Sequence, residues 1–403
     1  MEKKMNRIIL VLLIILALPS VRVYAGEMPK IESQSAILID AKTGRVLWEQ
    51  NAHALMAMAS TTKIMTAIIT LEHANLDDLV TVSKRAAAAP KVKMGLSPGE
   101  KISLRSLLYA LMLQSSNDVA VAIAEHVGGS VERFCEMMTK KAKSLGAVDT
   151  IFETPNGLDS ENHYSTAYDM AVITRYALKN DYFTRLINTR TINVKSSASN
   201  YEIHNKNRML DEFPGATGVK TGFTGKAGYC FVGSAERIGM ELISVVLASG
   251  WGDHGREQKW VDTKKILNYG FENFGYTNVV EKNATAGVTT TVERSKINTI
   301  GCYYAKSVTL ALSGDEKNKV KITHEFFSPV NAPVQRGDVL GYANIYIGET
   351  LVDQVDLCAS FEIERHDIKS NLEKSLNSFL ELGTESEISV ELPEFSIQLN
   401  FWE

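Results

Sequence analysis

Ala57-Met58-Ala59-Ser60-Thr61-Thr62-Lys63-Ile64-Met65-Thr66-Ala67 places a lysine three residues after a serine, at the start of an apolar, helix-compatible run. Residues three apart share one face of a helix, so the Lys63 amine can reach the Ser60 hydroxyl. A serine hydroxyl is a weak nucleophile until a base takes its proton. A lysine is such a base only when burial or a neighbouring cation lowers its pKa. The stretch therefore calls for a helix whose lysine lies inside the protein or beside a second cation. A helix N-terminus also presents free N–H groups and the positive end of the dipole to an oxyanion. Ser60 and Lys63 form the only S-x-x-K in the chain. The same spacing also describes a capped helix with a solvated lysine, and the rest of the chain decides between the two.

The chain has 403 residues, 45% of them hydrophobic and 22% charged, a globular balance with room for two domains. Its net charge of -4 and the lack of a basic patch interleaved with aromatics exclude nucleic acid as an expected partner. Lys3, Lys4 and Arg7 precede an apolar run from Ile8 to Leu18, and Val23-Tyr24-Ala25 offers a small-x-small cleavage site before Gly26. Residues 1–25 thus read as a secretory signal, too short for a comfortable membrane span. The protein is expected to be exported, either secreted or held at the outer face of the cytoplasmic membrane. Export permits disulfides. Cys135, Cys230, Cys302 and Cys358 are scattered in apolar surroundings and read mostly as buried thiols; Cys302 and Cys358, in one late region, are the pair that could join. Neither C-x-x-C nor H-E-x-x-H occurs, so no metal and no cofactor is expected.

Ser35–Asp40 and Arg45–Glu49 read as strands around the turn Ala41-Lys42-Thr43-Gly44. Leu104, Leu107, Leu108, Leu111 and Met112 form a helical stripe that stops at Gln114-Ser115-Ser116-Asn117-Asp118. A second helical run follows from Val119, so Ser115-Ser116-Asn117 sits at a helix–helix junction. Val131–Leu145 reads as a helix, and Thr166 to Asp169 resembles a capping box opening another. Strands follow at Gly218–Gly222, Gly228–Ala235 and Met240–Ser249, then a helix from Lys259 to Phe274. From about 275 to 365 short Thr-, Val-, Ile- and Tyr-rich runs broken by turns give a small all-β domain. From 366 to 403 the chain carries Ile368, Leu372, Leu376 and Phe379 at helical spacing, then an acidic tail.

S-x-x-K together with S-D-N and K-T-G is the known signature of penicillin-binding proteins and class A β-lactamases. Ser115-Ser116-Asn117 fits S-x-N, as do Ser160-Glu161-Asn162 and Ser375-Leu376-Asn377, but only the first stands at a helix junction after the S-x-x-K helix. There Ser115 can relay a proton to a leaving amine, and Asn117 can hold the substrate backbone. K-T-G occurs at Lys42-Thr43-Gly44 and at Lys220-Thr221-Gly222. A peptide substrate bound as an added strand needs an edge strand with Lys and Thr, and a Gly that lets its backbone approach. Lys220, on strand-like sequence, meets that demand; Lys42, in a tight turn, does not. Lys220 is also the second cation that can lower the pKa of Lys63.

In this order the motifs make the chain resemble the low-molecular-mass penicillin-binding proteins, the serine-type D-alanyl-D-alanine carboxypeptidases. The likeness extends to His163-Tyr164-Ser165-Thr166-Ala167-Tyr168-Asp169-Met170, to Phe223-Thr224 after the second K-T-G, to Ala227-Gly228-Tyr229-Cys230 and to Leu267-Asn268-Tyr269-Gly270-Phe271, and covers about residues 26–364. It implies an α/β penicillin-binding, serine β-lactamase-like domain over 26–274, with a central antiparallel sheet flanked by helices, and a β-sandwich-like domain over 275–365. It implies Ser60 as acyl-ester nucleophile, Lys63 as proton acceptor, Ser115 as second catalytic serine and Lys220 as substrate binder, with Asn117, Thr221, Gly222 and Phe223 beside the substrate. By the same likeness the Ser60 and Phe223 N–H groups form the oxyanion hole.

The implied substrate is the peptidoglycan stem peptide, with β-lactams as covalent inhibitors and with cell-wall cross-linking and cell shape as the processes served. Many members bind the substrate's terminal carboxylate with an arginine before an aromatic residue in the late helix. Here Lys259-Trp260 holds that place, with Arg256 one turn earlier, and the choice between the two stays open. Members often end in an amphipathic helix lying on the membrane; here the tail is acidic, which leaves peripheral attachment open. Two other activities fit the motifs. A β-lactamase is disfavoured by the extra β domain and because Glu153-Thr154-Pro155-Asn156 lacks E-x-x-x-N spacing. A non-catalytic β-lactam sensor or wall-binding protein would acylate without turnover.

Overall fold

The computed structural model describes residues 27–327, 329–366 and 368–382. The expected signal segment, residues 1–25, and the acidic tail lie outside the described residues. By internal contacts the chain divides at Tyr276/Thr277, with Leu310–Asp315 grouped with the first unit.

Strands β1 (Ser35–Asp40), β2 (Val46–Gln50), β3 (Ala216–Thr224), β4 (Gly228–Arg237) and β5 (Met240–Leu247) form one antiparallel sheet in the order β2-β1-β5-β4-β3. β1 is buried throughout and serves two cores by strand alternation. Ile37 and Ile39 join one core with Ile64, Ile68 and Leu107, while Ala36 and Leu38 join another with Trp260, Ile266 and Leu267. The first core holds helices α1 (Lys63–His73), α2 (Asn117–Gly128), α3 (Val131–Ser144) and α4 (Ala167–Ala177); the second face is covered by α5 (Gly252–Asn273). β3 is the outer strand, so one of its edges has no strand neighbour within this sheet.

Several expected boundaries move. α5 begins at Gly252 rather than Lys259, because the polar first turns Asp253-His254-Gly255-Arg256 carry no apolar stripe to announce them. The helix expected to open at Ser60 opens instead with a 3-10 turn, Ala59–Thr62, and becomes α-helical at Lys63. The stripe at Leu104 is α-helical to Tyr109 and a π-turn from Ala110 to Gln114. Two antiparallel strand pairs, Leu79–Thr81 with Lys101–Ser103 and Thr191–Lys195 with Asn200–His204, escaped the sequence reading. Thr166 caps α4 as read, accepting from the Asp169 N–H.

The second unit is β-rich. Its six-stranded sheet includes Val339–Ile347, Thr350–Ala359, Thr299–Tyr304 and Thr285–Glu293 as successive neighbours. All four cysteines are free and buried. Cys302 stands opposite Ala359 and Cys358 opposite Tyr303. That one-residue offset puts the two sulfurs on opposite faces of the sheet, so they do not pair. Helix Ile368–Leu382 exposes Leu372, Leu376 and Phe379. Among the described residues, no helix is long and apolar enough to cross a membrane.

Candidate active site

A cavity of about 390 Å³ in the first unit is lined by Ser60, Ser115, Asn117, Thr221, Gly222, Phe223 and Lys259, among others. Four separate elements deliver them: the 3-10 turn before α1, the junction at the head of α2, the edge strand β3, and α5, which carries Lys259.

The turn is fixed by close backbone packing. Ala59 is left-handed at φ 49°. Gly157 lies so near it that a Cβ would stand 1.9 Å from the Ala59 carbonyl oxygen. Gly222 of β3 passes the other side, where a Cβ would sit 3.0 Å from the Ser60 nitrogen. Bulk at either position would push the turn out of place. The same approach explains why glycine ends the K-T-G of β3. Gly44 of the other K-T-G ends a turn closed by Thr43 donating to Asp40, and Lys42 there is exposed, 5.1 Å above the Tyr276 ring and away from the cavity.

Lys63 is fully buried at the head of α1. Its amine is 2.9 Å from Ser60 Oγ and donates to Asn117 Oδ1 at 2.9 Å and to the Asn156 carbonyl at 2.5 Å. A neutral amine has two N–H bonds and one lone pair. The amine also donates to Ser60 Oγ, whose hydroxyl donates to the Asn156 carbonyl at 3.3 Å; in the neutral amine, with its two N–H bonds kept on Asn117 and Asn156, the lone pair is left for Ser60. Burial first, then the charges of Lys220 and Lys206, hold the Lys63 pKa well below the usual lysine value. Burial and a second cation, either of which would meet the demand of S-x-x-K, are both present.

Lys220 is also buried, and its amine donates to the Thr221 carbonyl at 3.0 Å. Burial and then Lys206 push its pKa down to about 7. Lys220 stands behind the cavity wall that Thr221, Gly222 and Phe223 form. Asn117 is committed on both sides of its amide: Oδ1 accepts from Lys63, and Nδ2 donates to the Pro90 and Lys91 carbonyls, each at 3.2 Å. Next to it, the buried Asp118 carboxylate accepts the Met94, Gly95 and Leu96 N–H groups and holds the loop whose Lys91 and Val92 line the cavity. Ser115 follows the π-turn in a left-handed conformation, φ 67°. Such backbone costs about 1–3 kcal/mol and persists where the surroundings impose it, commonly at functional sites.

Lys259 lines the cavity with its amine 4.6 Å from the Tyr229 ring centre and 4.4 Å from that of Trp260, donating to the Arg256 carbonyl. Burial lowers its pKa to about 8. Arg256 also reaches the cavity but is exposed, bonded to Tyr229 Oη at 3.2 Å and paired with Asp253 at 3.3 Å. Sequence reasoning missed three contributors: Lys206, Arg208 and Asn156. Lys206 and Arg208 sit in Asn205-Lys206-Asn207-Arg208, which matches no short motif, and Asn156 acts through its carbonyl, which no side chain announces. Glu153, weighed as a deacylating carboxylate, instead accepts from Ser160 at 2.5 Å and from Asn162 at 3.1 Å.

Two serines and two buried lysines, gathered at the edge strand of an antiparallel sheet covered by helices, define an active-site-serine enzyme of the penicillin-binding class. The D-alanyl-D-alanine carboxypeptidase family matches residues 22–250, and the C-terminal domain of penicillin-binding protein 5 matches residues 274–365. The chain is 33% identical to D-alanyl-D-alanine carboxypeptidase DacF of Bacillus subtilis over 77% of its own length and 80% of the relative's. It is 32% identical to D-alanyl-D-alanine carboxypeptidase DacC of Escherichia coli, over 84% and 86%. Penicillin-binding protein 5 of Haemophilus influenzae superposes with a TM-score of 0.72 at 27% identity, covering 84% of this chain and 100% of that one. The chain belongs to the D-alanyl-D-alanine carboxypeptidase family and is a hydrolase of the low-molecular-mass penicillin-binding type.

Proposed function

We propose that the protein removes the terminal D-alanine from peptidoglycan stem pentapeptides through an acyl-enzyme on Ser60, and that residues 26–274 carry this chemistry. The observation that carries it is the Lys63 amine, buried, of lowered pKa, and 2.9 Å from Ser60 Oγ. Lys63 takes the Ser60 proton as Oγ attacks the carbonyl carbon of the penultimate D-Ala. The oxyanion meets the Ser60 and Phe223 N–H groups. Ser115 gives its hydroxyl proton to the departing D-Ala nitrogen and takes up the one that Lys63 holds, the C–N bond breaks, and water hydrolyses the ester. Thr221 and Gly222 take the peptide along the open edge of β3. β-Lactams acylate Ser60 by the same attack. The layout of residues 1–25 supports export, and the exposed Leu372, Leu376 and Phe379 support peripheral membrane attachment through the C-terminal helix. D-Ala release from an acyl-D-Ala-D-Ala peptide, measured beside β-lactam turnover, tests the function: acylation without release would leave a sensor, and rapid β-lactam turnover a β-lactamase.

The pH dependence follows from the two lysines. Acylation needs Lys63 neutral, so kcat/KM rises as pH climbs through its lowered pKa. It needs Lys220 charged, so kcat/KM falls again as pH climbs through about 7. Lys220→Arg keeps its charge far into alkaline pH, so the alkaline limb should leave the profile while the acid limb stays. An unchanged alkaline limb would assign it to another group.

Lys259 is proposed as the clamp on the terminal carboxylate. Its amine, half enclosed by two rings, is pre-positioned, whereas Arg256 is exposed and already paired. Lys259→Ala should lose about 1.5–3 kcal/mol of transition-state binding, the range for hydrogen bonds to charged groups. The loss should shrink when the substrate carboxylate is amidated. Equal losses on acid and amide substrates would move the role to Arg256 or Lys206, to be put through the same cycle.

A further inference from the structure

His163 is buried between the two segments that converge on Lys63. Its Nδ1 accepts the Glu153 N–H at 3.1 Å, so that nitrogen carries no proton. Its Nε2 therefore bears the hydrogen and donates to Thr62 Oγ1 at 2.9 Å. Glu153 stands at the base of the loop that runs to Asn162, and its carboxylate closes that loop on Ser160 and Asn162. Thr62 is the last residue of the turn that carries Ser60 and precedes Lys63. The loop's working group is the Asn156 carbonyl, which accepts from Lys63 and lies 3.3 Å from Ser60 Oγ. One further bond, Thr66 Oγ1 to the Pro155 carbonyl at 2.6 Å, ties the loop to α1.

We propose that His163 is a positioning residue for acylation: as a neutral imidazole it ties the loop bearing Asn156 to the turn bearing Ser60, and so fixes the direction in which the Lys63 amine points. The inference rests on the assignment of Ser60 and Lys63 made above. Asn156 holds one of the two N–H bonds that turn the Lys63 lone pair toward Ser60. A loop free to drift releases that bond and lets the amine rotate. The imidazole is suited to this because it stays neutral: burial first pushes its pKa down to about 4, against the charges of Glu153 and Asp159, with Lys226 and Lys63 acting in the same direction as burial. A protonated ring would offer two donors and no acceptor for the Glu153 N–H.

The two ring contacts can be cut separately. His163→Asn keeps an acceptor near the Nδ1 position and loses reach to Thr62. Thr62→Val removes the hydroxyl and leaves His163 in place, which keeps the test open if the histidine variant folds poorly. The full-length protein is acylated with a fluorescent penicillin in stopped flow, separating the non-covalent constant from the acylation rate, with the adduct located by mass spectrometry. Each variant should slow acylation about ten- to a hundredfold, the cost of a small misplacement, while the non-covalent constant stays within about twofold. The double variant should be no slower than the slower single one, because both cut one link. Acylation at the wild-type rate in either variant overturns the proposal. So do multiplied losses in the double variant, or an equal loss in the non-covalent constant. A wild-type protein that takes no adduct on Ser60 removes the proposed chemistry and this inference with it, whereas wild-type labelling at Ser60 with unimpaired variants removes the inference alone.

Discussion

Ser60→Ala is expected to abolish both covalent β-lactam labelling and D-Ala release while the protein stays folded. Where nucleophile and base act as a unit, loss of the nucleophile costs about 10⁶ in kcat, and loss of the base costs a similar factor. Lys63→Ala should therefore be nearly as inactive, and the double variant no worse than either. The fold should tolerate Ser60→Ala because the side chain faces the cavity and its neighbour Ala59, not Ser60, takes the left-handed backbone. Removing the hydroxyl deprives Lys63 of one partner while Asn117 and Asn156 remain. Satisfied on two sides, the amine should cost about 1–3 kcal/mol of stability at most. Intact-mass measurement after β-lactam exposure, with thermal unfolding of the same sample, checks both halves. An adduct found on Ser115 in the wild type would reverse the two serines' roles.

What the sequence revealed, and what it hid, divides along a physical line. Side chains with a fixed chemical demand were legible. A lysine that is to serve a nucleophilic serine three residues away must be buried or set near another cation, and Lys63 is buried with Lys220 and Lys206 acting on it. The strand SAILID was legible because both of its faces are apolar, and it spans Ser35–Asp40 as read. Contributions made through the backbone were not. The Asn156 carbonyl carries no signature, and Gly157 declares its role only through its nearness to Ala59. The π-turn from Ala110 to Gln114 was invisible because Leu111 and Met112 suit an α-helical stripe equally well. Lys206 and Arg208 were missed for a different reason: a cation in a loop has no periodicity, and only folding shows that the loop borders the cavity. Asn117 was found, but its first partner is Lys63 rather than open substrate space.

Lys220→Ala should slow acylation about a hundredfold or more, and Lys42→Ala should change it little. Both lysines open a K-T-G, so composition and local sequence treat them alike; position alone separates them. Lys42 is exposed in the turn between β1 and β2, its amine over Tyr276, and its carbonyl accepts from Arg175. An exposed charge there is screened by solvent before it reaches Ser60. Lys220 lies on the edge strand one residue before the cavity wall, within a low-dielectric interior where a charge acts strongly. It is the largest Coulombic influence on the Lys63 amine, in the direction that keeps that base neutral. Its loss therefore acts twice, by letting the Lys63 pKa climb and by removing a cation from behind the cavity wall that Thr221, Gly222 and Phe223 form. These two effects separate by pH. The first shifts the acid limb of the acylation profile upward; the second leaves a deficit wherever the wild-type Lys220 is charged, below about pH 7. Lys220→Ala should show both, a displaced limb and a lowered plateau. Equal losses at Lys42 and Lys220 would sink the edge-strand assignment, and a displaced limb with a full plateau would confine Lys220 to tuning the base.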